Sequence, residues 1–260
     1  MNPSNVTSRH STVIPLHPHD RVFILTGAGI SAESGISTFR DPNGVWSKVD
    51  VETVATPEAW RRDSKHVWRF YAERRKQAAD VRPNPAHYAL ARLEAELGER
   101  LMLCTQNIDP LHERAGSRGV VHMHGELMKS RCDRCERPPF HDERLYLEGP
   151  PRCECGGRIR PHVCWFGELP FELDAVLEAL EISTVFVSIG TSGTVAPASH
   201  FVLWAGRGNP GGTARKYYVG AEEPENAMFF DEVFVGKAGE LVPTLFPAVP
   251  ELPKNELQTL

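Results

Sequence analysis

Four cysteines in two close pairs are the clearest sign of chemistry in this sequence. Two residues separate Cys132 from Cys135, one separates Cys153 from Cys155, and 17 lie between the pairs. Thiolates at this spacing are typical ligands of a tetrahedral Zn²⁺ ion. A C-x-C pair is less common than C-x₂-C, so four unrelated cysteines remain the alternative. Four protein ligands leave no open position for a substrate, and the predicted zinc is therefore structural.

A glycine-rich segment, residues 27–35, could bind a phosphate. Gly27 and Gly29 follow an apolar run, and glycines there allow a tight turn and a close approach of the backbone to a pyrophosphate. The third glycine, Gly35, is not at the spacing usual for dinucleotide-binding loops. By itself, the segment therefore also fits a plain turn from a strand into a helix.

These residues need secondary structure to hold them in place. Apolar runs predict buried strands over residues 21–25, 100–105, 184–189 and 216–219. Amphipathic patterns predict helices over 86–97, ended by Gly98, over 172–180 and, more weakly, over 199–205. Strands alternating with helices indicate an α/β fold with a Rossmann-like parallel sheet. Polar clusters follow the first three strands, at the sheet edge where such folds bind ligands.

Residues 130–161 interrupt this alternation. They are rich in Cys, Pro, Arg and Glu and show little periodicity, which predicts a small zinc-binding module inserted into the sheet domain. The Rossmann-like domain would then comprise residues 21–129 and 162–250. Residues 1–20 are predicted to form a flexible leader, and residues 251–260 a C-terminal tail.

The composition limits what the protein binds and where it works. The 260 residues carry 29 Lys and Arg against 34 Asp and Glu, a net charge of −5 that argues against general nucleic-acid binding. No apolar run is long enough for a membrane span, and the first 20 residues lack a signal peptide's apolar core. Six cysteines are too few for a disulfide scaffold, so a cytoplasmic location is expected. Cys104 and Cys164, outside the two pairs, are expected to be core residues.

Five motifs, in order and at fitting separations, resemble the sirtuin family. They are residues 26–46 (TGAGISAESGISTFRDPNGVW), 105–116 (TQNIDPLHERAG), 122–126 (HMHGE), 160–168 (RPHVCWFGE) and 190–192 (GTS). The resemblance covers about residues 21–246. It implies an NAD-dependent protein lysine deacylase, in which NAD and an acyl-lysine meet in a cleft between a Rossmann-like domain and a zinc-binding domain.

The resemblance also implies which residues bind NAD. Arg40 can offer a forked donor to a phosphate, and amide and carboxylate groups suit the ribose and the nicotinamide carboxamide. The implied residues are Gly27, Ala28, Gly29, Ile30, Ser31, Glu33, Phe39, Arg40, Trp46, Gln106, Asn107, Ile108, Asp109, Gly190, Thr191, Ser192, Ala221, Glu223 and Ala238. Ala221 stands where the family usually carries asparagine, and one lost hydrogen bond would weaken NAD binding by about 0.5–1.5 kcal/mol.

His124 matches the family's general base. An imidazole titrates near neutral pH and can accept the proton of the 2′-hydroxyl of the NAD ribose. The implied products are nicotinamide, free lysine and 2′-O-acyl-ADP-ribose, so that NAD is consumed as a cosubstrate. The other histidines near these motifs, His112, His122 and His162, are expected to be structural.

A helix predicted over residues 66–77 bears on the acyl group. It places Val67, Phe70, Tyr71 and Arg74 on one face. From the residues alone, Tyr71 could be a core side chain and Arg74 one that extends along the surface. The Tyr71-x-x-Arg74 pair, however, resembles the signature of class III sirtuins, in which a guanidinium and a phenol bind the carboxylate of succinyl or malonyl groups.

Further substrate contacts follow from the resemblance. Ala55 matches a small residue that leaves room for a longer acyl group, and Val163, Phe166, Gly167 and Glu168 match the family's substrate-binding segment. Because bacterial members of this branch also remove acetyl groups, dual activity is expected.

Two other functions remain open on the sequence alone. A mono-ADP-ribosyltransferase could use the same NAD loop without an acyl-lysine. A non-catalytic module that binds ADP-ribose, or nucleic acid through the basic residues around 130–160, is the other alternative. Interleaved acidic residues and the scarcity of aromatic residues in that stretch argue against nucleic-acid binding.

Overall fold

The computed structural model describes residues 13–38 and 50–246. The α-helices are α1 (Ala28–Ser31), α2 (Pro57–Arg62), α3 (Ser64–Asp80), α4 (Pro85–Leu97), α5 (Leu111–Arg114), α6 (Leu173–Glu181), α7 (Phe201–Trp204) and α8 (Ala238–Leu245). The strands are β1 (Val22–Thr26), β2 (Leu101–Thr105), β3 (Val120–His122), β4 (Gly125–Cys132), β5 (Phe140–His141), β6 (Ile159–Val163), β7 (Val185–Ile189), β8 (Arg215–Gly220) and β9 (Glu232–Val235). Within the described ranges, no helix combines the length and apolar character of a membrane span.

Six parallel strands form the main sheet, in the order β3-β2-β1-β7-β8-β9. The strand order reverses between β1 and β7, which is the switch point at which Rossmann-like sheets bind ligands. The predicted α/β fold with a parallel sheet is thereby confirmed. All four strands predicted from apolar runs belong to this sheet, within one residue at each end.

Both faces of the main sheet are covered. All five residues of β1 and of β7 are buried, as expected for parallel strands between two layers of helices. Alternate residues enter different cores: Ile24 packs with Leu90 on one face, whereas Phe23 packs with Phe186 and Phe201 on the other. The carboxyl ends of the central strands are held in place, because any shift of these strands would expose apolar surface on both faces of the sheet.

The predicted helices form with small differences at their ends. Asn84 caps α4 with its side chain and Gly98 ends it, as predicted. The helix predicted over 172–180 begins and ends one residue later, and that over 199–205 is a 3-10 turn, Ala198–His200, followed by the single turn of α7. Short elements such as α5 and β3 were not predicted, because three or four residues carry too little periodicity.

The prediction of a flexible leader over residues 1–20 is wrong for its described part. Ile14 and Leu16 are buried in the main core, and the Ile14 amide donates to the carbonyl of Leu245 at 2.8 Å. Apolar side chains among prolines and histidines were enough to anchor this segment. Residues 1–12 and 251–260, the remainder of the predicted leader and the predicted tail, lie outside the described ranges.

The second, smaller module contains an antiparallel sheet in the order β5-β4-β6. Its core also includes helices α2 and α3, through side chains such as Trp60, Trp68 and Tyr71, which pack with Leu127 and Trp165. The module therefore extends beyond the predicted segment 130–161, and it takes in helices that the sequence pattern assigns to the Rossmann-like domain. An amphipathic pattern shows that a helix has a buried face but does not show which domain covers it.

Arg75 fastens α3 to the small sheet. Its guanidinium is buried and donates to the carbonyls of Leu127 at 2.9 Å and Lys129 at 3.2 Å, and to the Ser130 hydroxyl at 3.1 Å. The buried carboxylate of Asp142 lies 3.9 Å away. Trp68, Tyr71, Arg75 and Ala78 all lie on the buried face, a spacing of three and four residues that could have identified Arg75.

Replacing Arg75 by methionine removes all of these donors while keeping most of the side-chain volume. We expect Arg75→Met to lower the free energy of unfolding by about 3 kcal/mol, because buried carbonyl groups lose their partners. This corresponds to a fall in Tm of about 6–12 °C, measured by thermal unfolding. Lys76→Met, at an exposed position of the same helix, is the control and should change Tm little. Equal effects of the two substitutions would contradict this role.

Candidate active site

At the switch point, the backbone of the turn after β1 contacts the backbone at the end of β7. The amide of Gly29 donates to the carbonyl of Gly190 at 2.8 Å, and a Cβ on Gly29 would lie 2.7 Å from the Gly190 Cα atom. Gly190 has a φ of +63°, a conformation that side chains disfavour. A Cβ on Gly27 would likewise lie 2.9 Å from the Gly190 carbonyl oxygen, so the end of β7 requires glycine at both 27 and 29.

Ser31, Asn107 and Asp109 form a buried polar network behind the glycine loop. The Ser31 hydroxyl donates to the Asp109 carboxylate at 3.1 Å, and the Asn107 amide donates to the Gly27 carbonyl at 3.1 Å. Burial raises the pKa of Asp109, although hydrogen bonds from the Leu111 amide and Ser31 act against that rise. The network joins two of the segments predicted to bind NAD and fixes their polar groups relative to each other.

His124 lies in the two-residue turn between β3 and β4, and its ring orientation is determined by the loop after β2. Its Nδ1 is 3.0 Å from the carbonyl oxygen of Gln106. A carbonyl can only accept, so Nδ1 carries the hydrogen and Nε2 of the neutral ring has a free lone pair. Burial lowers the pKa of His124, while this hydrogen bond opposes the change. The ring is therefore neutral at neutral pH and able to accept a proton.

His122 has the opposite character. Its Nδ1 faces the carbonyl of Asn107 at 3.0 Å and its Nε2 faces the Glu113 carboxylate at 2.7 Å, so both nitrogens must donate. Burial lowers the pKa of His122, but Glu113 and the Asn107 carbonyl outweigh it, and the net pKa is raised. An imidazolium held between two acceptors has no lone pair for catalysis. The structure thus separates the two histidines of the HMHGE motif.

The other two histidines expected to be structural pack against aromatic rings, and His112 is fully buried whereas His162 is partly buried. His112 bonds the hydroxyl of Thr26 at 3.0 Å and packs edge-on against His87, with ring centroids 5.0 Å apart. His162 stacks on Phe171 at 4.5 Å. Burial lowers the pKa of His112, and burial followed by nearby positive charge lowers that of His162 to about 4. Both rings are held neutral within the fold.

A cavity of about 250 Å³ opens beside the glycine loop. It is lined by Gly29, Ala32, Glu33, Gly220, Ala221, Lys237 and Ala238. Four predicted residues, Gly29, Glu33, Ala221 and Ala238, are therefore brought together, whereas the exposed Glu223 is not part of this lining. The Glu33 carboxylate accepts from the Gly239 amide at 2.6 Å, which ties the glycine loop to α8.

Of the other residues predicted to bind NAD, Ala28 and Ile30 lie in α1, where Ile30 is buried. Thr191 and Ser192 follow β7, and the Tyr218 hydroxyl donates to the Thr191 carbonyl at 2.9 Å. Ile108 contacts the small module, because its carbonyl accepts from the Leu127 amide at 2.8 Å. Phe39, Arg40 and Trp46 lie outside the described residues.

Tyr71 lies in the core of the small module, and Arg74 lies one turn further along the same helix, at its edge. Tyr71 is buried with Ala55, Val163 and Trp165, and its hydroxyl accepts from the Trp165 indole at 3.0 Å. Arg74 is 15% exposed, and its guanidinium stacks over the Phe70 ring at 4.0 Å and donates to the Phe70 carbonyl at 2.9 Å. Burial lowers the pKa of Arg74, although nearby Glu73 raises it. The expected sharing of a face by the phenol and the guanidinium is confirmed.

Glu168 holds the loop after β6 together. Its carboxylate pairs with both terminal nitrogens of Arg160, at 2.6 and 2.9 Å, and accepts from the Trp165 amide at 2.8 Å. The predicted contact of Glu168 with substrate stays a prediction, and its carboxylate already has these partners. Phe166, 52% exposed, donates through its amide to the Ala55 carbonyl at 3.0 Å.

Gly167 follows at φ +87°, and an exposed glycine there allows the sharp turn between Phe166 and Glu168. Val163, at the start of the same segment, is buried and accepts from Arg160 through its carbonyl at 2.9 Å. Substrate-binding roles for Val163 and Gly167 remain predictions. Cys164 is only half-buried, whereas Cys104 is fully buried as expected, so the prediction of a core position holds for Cys104 alone.

The four cysteine sulfurs fit a zinc ion. They lie within 4.8 Å of one another, with 3.5 Å between Cys132 and Cys155 and 3.8 Å between Cys135 and Cys153. Tetrahedral Zn–S bonds of about 2.3 Å require sulfurs about 3.8 Å apart. Gly157 is necessary for this arrangement, because a Cβ there would lie 2.6 Å from the Cys132 sulfur. These four side chains would hold a structural zinc ion and leave it no open coordination position.

Comparisons with known proteins agree with this geometry. Residues 27–197 match the model of the Sir2 family. An NAD-dependent protein deacylase of Shewanella oneidensis is 46% identical over 234 residues, covering 89% of this chain and 95% of the relative. One from Caulobacter vibrioides is 48% identical over 231 residues, covering 86% and 94%. A crystal structure of a Sir2 homolog–NAD complex has a TM-score of 0.78 at 37% identity, covering 90% and 94%.

The ion pair between His122 and Glu113 predicts how stability depends on pH. A raised pKa for His122 gives a stabilisation that is complete below the unfolded value of 6.5 and lost as pH rises through the folded pKa. Because Glu113 is partly exposed, Glu113→Gln should cost only about 1 kcal/mol at pH 6 and little at pH 9. Thermal unfolding at the two pH values measures this.

Glu58→Gln is the matched control, because Glu58 pairs with Arg61 at the surface and this ion pair contains no histidine. Its effect on Tm should be the same at both pH values. A destabilisation by Glu113→Gln that does not change with pH would contradict the ion-pair assignment.

Proposed function

This chain belongs to the Sir2 family, the sirtuins, and on that basis we propose that it is an NAD-dependent protein lysine deacylase. The observation that carries the proposal is the neutral His124 ring, whose Nε2 lone pair is set free by the Gln106 carbonyl. That carbonyl belongs to the loop after β2, in which Asn107 and Asp109 contact Gly27 and Ser31 of the glycine segment. A base and a dinucleotide-type loop in one place are what the reaction requires.

The residues beyond the switch point would hold NAD. The adenosine part fits the 250 Å³ cavity between the glycine loop and α8, with Ala221 and Ala238 in its wall. Asn107, Asp109 and Ser31 supply polar groups for the ribose and carboxamide. Lys237 lines the same cavity and can donate a hydrogen bond where the Ala221 methyl group cannot.

Deacylation requires that a ribose hydroxyl of NAD give up its proton to a base in the site. When bound, NAD supplies the ADP-ribosyl group that takes up the acyl chain as nicotinamide leaves. His124 accepts the hydroxyl proton at Nε2, while the Gln106 carbonyl holds the Nδ1 hydrogen and so fixes the ring. His122, charged and bonded at both nitrogens, anchors the Asn107 carbonyl and takes no part in proton transfer.

The acyl group is a succinyl or malonyl chain, with acetyl as a second substrate. Arg74 is held by Phe70 and has guanidinium N–H groups left to pair with a distal carboxylate. Tyr71 adds a phenol on the same helix face, and Ala55 next to it takes up little space. An acetyl group is neutral and short, and its removal would make no use of these residues.

The first test follows both products of NAD turnover. Wild-type protein incubated with NAD and a succinyl-lysine peptide should release nicotinamide and free lysine in equal amounts, measured by mass spectrometry. His124→Ala should lose more than about 99% of the rate, because a general base contributes at least about 10²-fold. His141→Ala, at an exposed position, is the control. Since the pKa of His124 lies below 6.5, kcat/KM should fall only at pH values below that.

Two outcomes would contradict the proposal. A rate above a tenth of wild type in His124→Ala would remove His124 as the base. Nicotinamide release without deacylation of the peptide would indicate ADP-ribosyl transfer instead.

A second test concerns the acyl carboxylate. Arg74→Met should reduce kcat/KM for a succinyl-lysine peptide by about 10²-fold, because a charge-assisted bidentate hydrogen bond is lost, and should change deacetylation by less than about threefold. Arg69→Met is the matched control, since Arg69 is exposed on the same helix. Equal losses for both peptides would mean that Arg74 does not bind the acyl carboxylate.

A further inference from the structure

The hydrogen bond between Trp165 and Tyr71 has a fixed direction. An indole N–H can only donate, so the phenol oxygen of Tyr71 is the acceptor of this 3.0 Å bond. The hydrogen of the Tyr71 hydroxyl must then point away from Trp165. The bond thus determines which way the phenol can donate.

That hydrogen has no protein acceptor among residues 13–38 and 50–246. The only hydrogen bond that the Tyr71 hydroxyl makes within these ranges is the one from Trp165, although the side chain is 99% buried. Burial raises the pKa of Tyr71, which outweighs the opposing effects of Trp165, Arg160 and Arg74, so the phenol keeps its proton at neutral pH. A buried donor without a partner suits a ligand that brings an acceptor.

Trp165 is itself held rigidly. The Arg160 guanidinium lies 3.3 Å above the centre of its ring, and the Trp60 ring packs against it at 5.8 Å. Its backbone amide donates to Glu168, which also pairs with Arg160. The indole therefore cannot turn to follow the phenol, and the phenol must adjust to the indole.

We propose that Trp165 is a positioning residue for acyl selectivity, which sets the Tyr71 hydroxyl as a donor to the carboxylate of the substrate's acyl chain. The inference rests on the proposed function, and it names how that function distinguishes a carboxylate-bearing acyl group from a neutral one. Glu168 and Arg160 act one step further away, by holding the indole. An acetyl group has no distal acceptor, so its removal does not depend on this hydrogen.

Trp165→Phe tests the proposal, because it removes the N–H group and keeps an aromatic ring for Arg160 and Trp60. In the full chain, kcat/KM for a succinyl-lysine peptide should fall about five- to tenfold, mainly through KM, while the acetyl-lysine peptide changes by less than about twofold. In a Tyr71→Phe background, Trp165→Phe should have no further effect on desuccinylation. Equal losses for both peptides, or additive losses in the double variant, would overturn the proposal.

A second measurement covers the case in which Trp165→Phe does not fold. In NMR spectra of ¹⁵N-labelled protein, the indole N–H signal whose chemical shift changes between wild type and Tyr71→Phe is assigned to Trp165. A succinyl-lysine peptide should shift this signal, and an acetyl-lysine peptide should not. Equal shifts with the two peptides, or none with either, would overturn the proposal.

The outcome also separates this inference from the proposed function. If Arg74→Met loses desuccinylation selectively and Trp165→Phe does not, only the role of Trp165 is wrong. If wild type does not remove succinyl groups at all, both are wrong.

Discussion

The contact between the backbones of Gly29 and Gly190 is the constraint on which the rest of the site depends. It joins the turn after β1 to the end of β7, the two central strands between which the order of the sheet reverses. Any side chain at either glycine would force these turns apart. Because Asn107 bonds the Gly27 carbonyl, that displacement would pass to the loop after β2. Glycine is thus required at these positions for the packing of the two loops. Room for a bound phosphate would be a second, separate benefit.

The loop after β2 carries this constraint to the rest of the site through its main chain. Three successive carbonyls face three partners: that of Gln106 orients His124, that of Asn107 accepts from His122, and that of Ile108 accepts from the Leu127 amide in the small module. One short segment therefore fixes the tautomer of one histidine, the charge of the other and the attachment of the module whose core contains Tyr71. Side-chain identity matters little for these three contacts, which backbone position alone provides.

Much of this was predictable from the sequence, because its signals are local. The apolar runs located the central strands, the cysteine spacing located the four sulfurs, and Gly98 marked the end of α4. The charge state of His122 was not predictable, since it depends on Glu113 and a carbonyl that only the fold brings to it. Arg75 and Trp165 were missed for the same reason, as their partners lie 52 and 94 residues away in the chain. Local patterns show which side chains are buried, whereas the direction of a hydrogen bond depends on distant partners.

The cavity beside the glycine loop has a consequence for the protein as a whole. Its walls come from the turn after β1, the end of β8 and the start of α8. Glu33 connects the first of these walls to the third, because it accepts from the Gly239 amide, 206 positions further along the chain. A nucleotide that occupies this cavity would bind the folded chain and not the unfolded one, and would bridge segments that unfolding separates. The free energy of unfolding then rises with the logarithm of the nucleotide concentration once that concentration exceeds the Kd. The lifetime of the protein in a cell would in this way follow the supply of the molecule that it consumes.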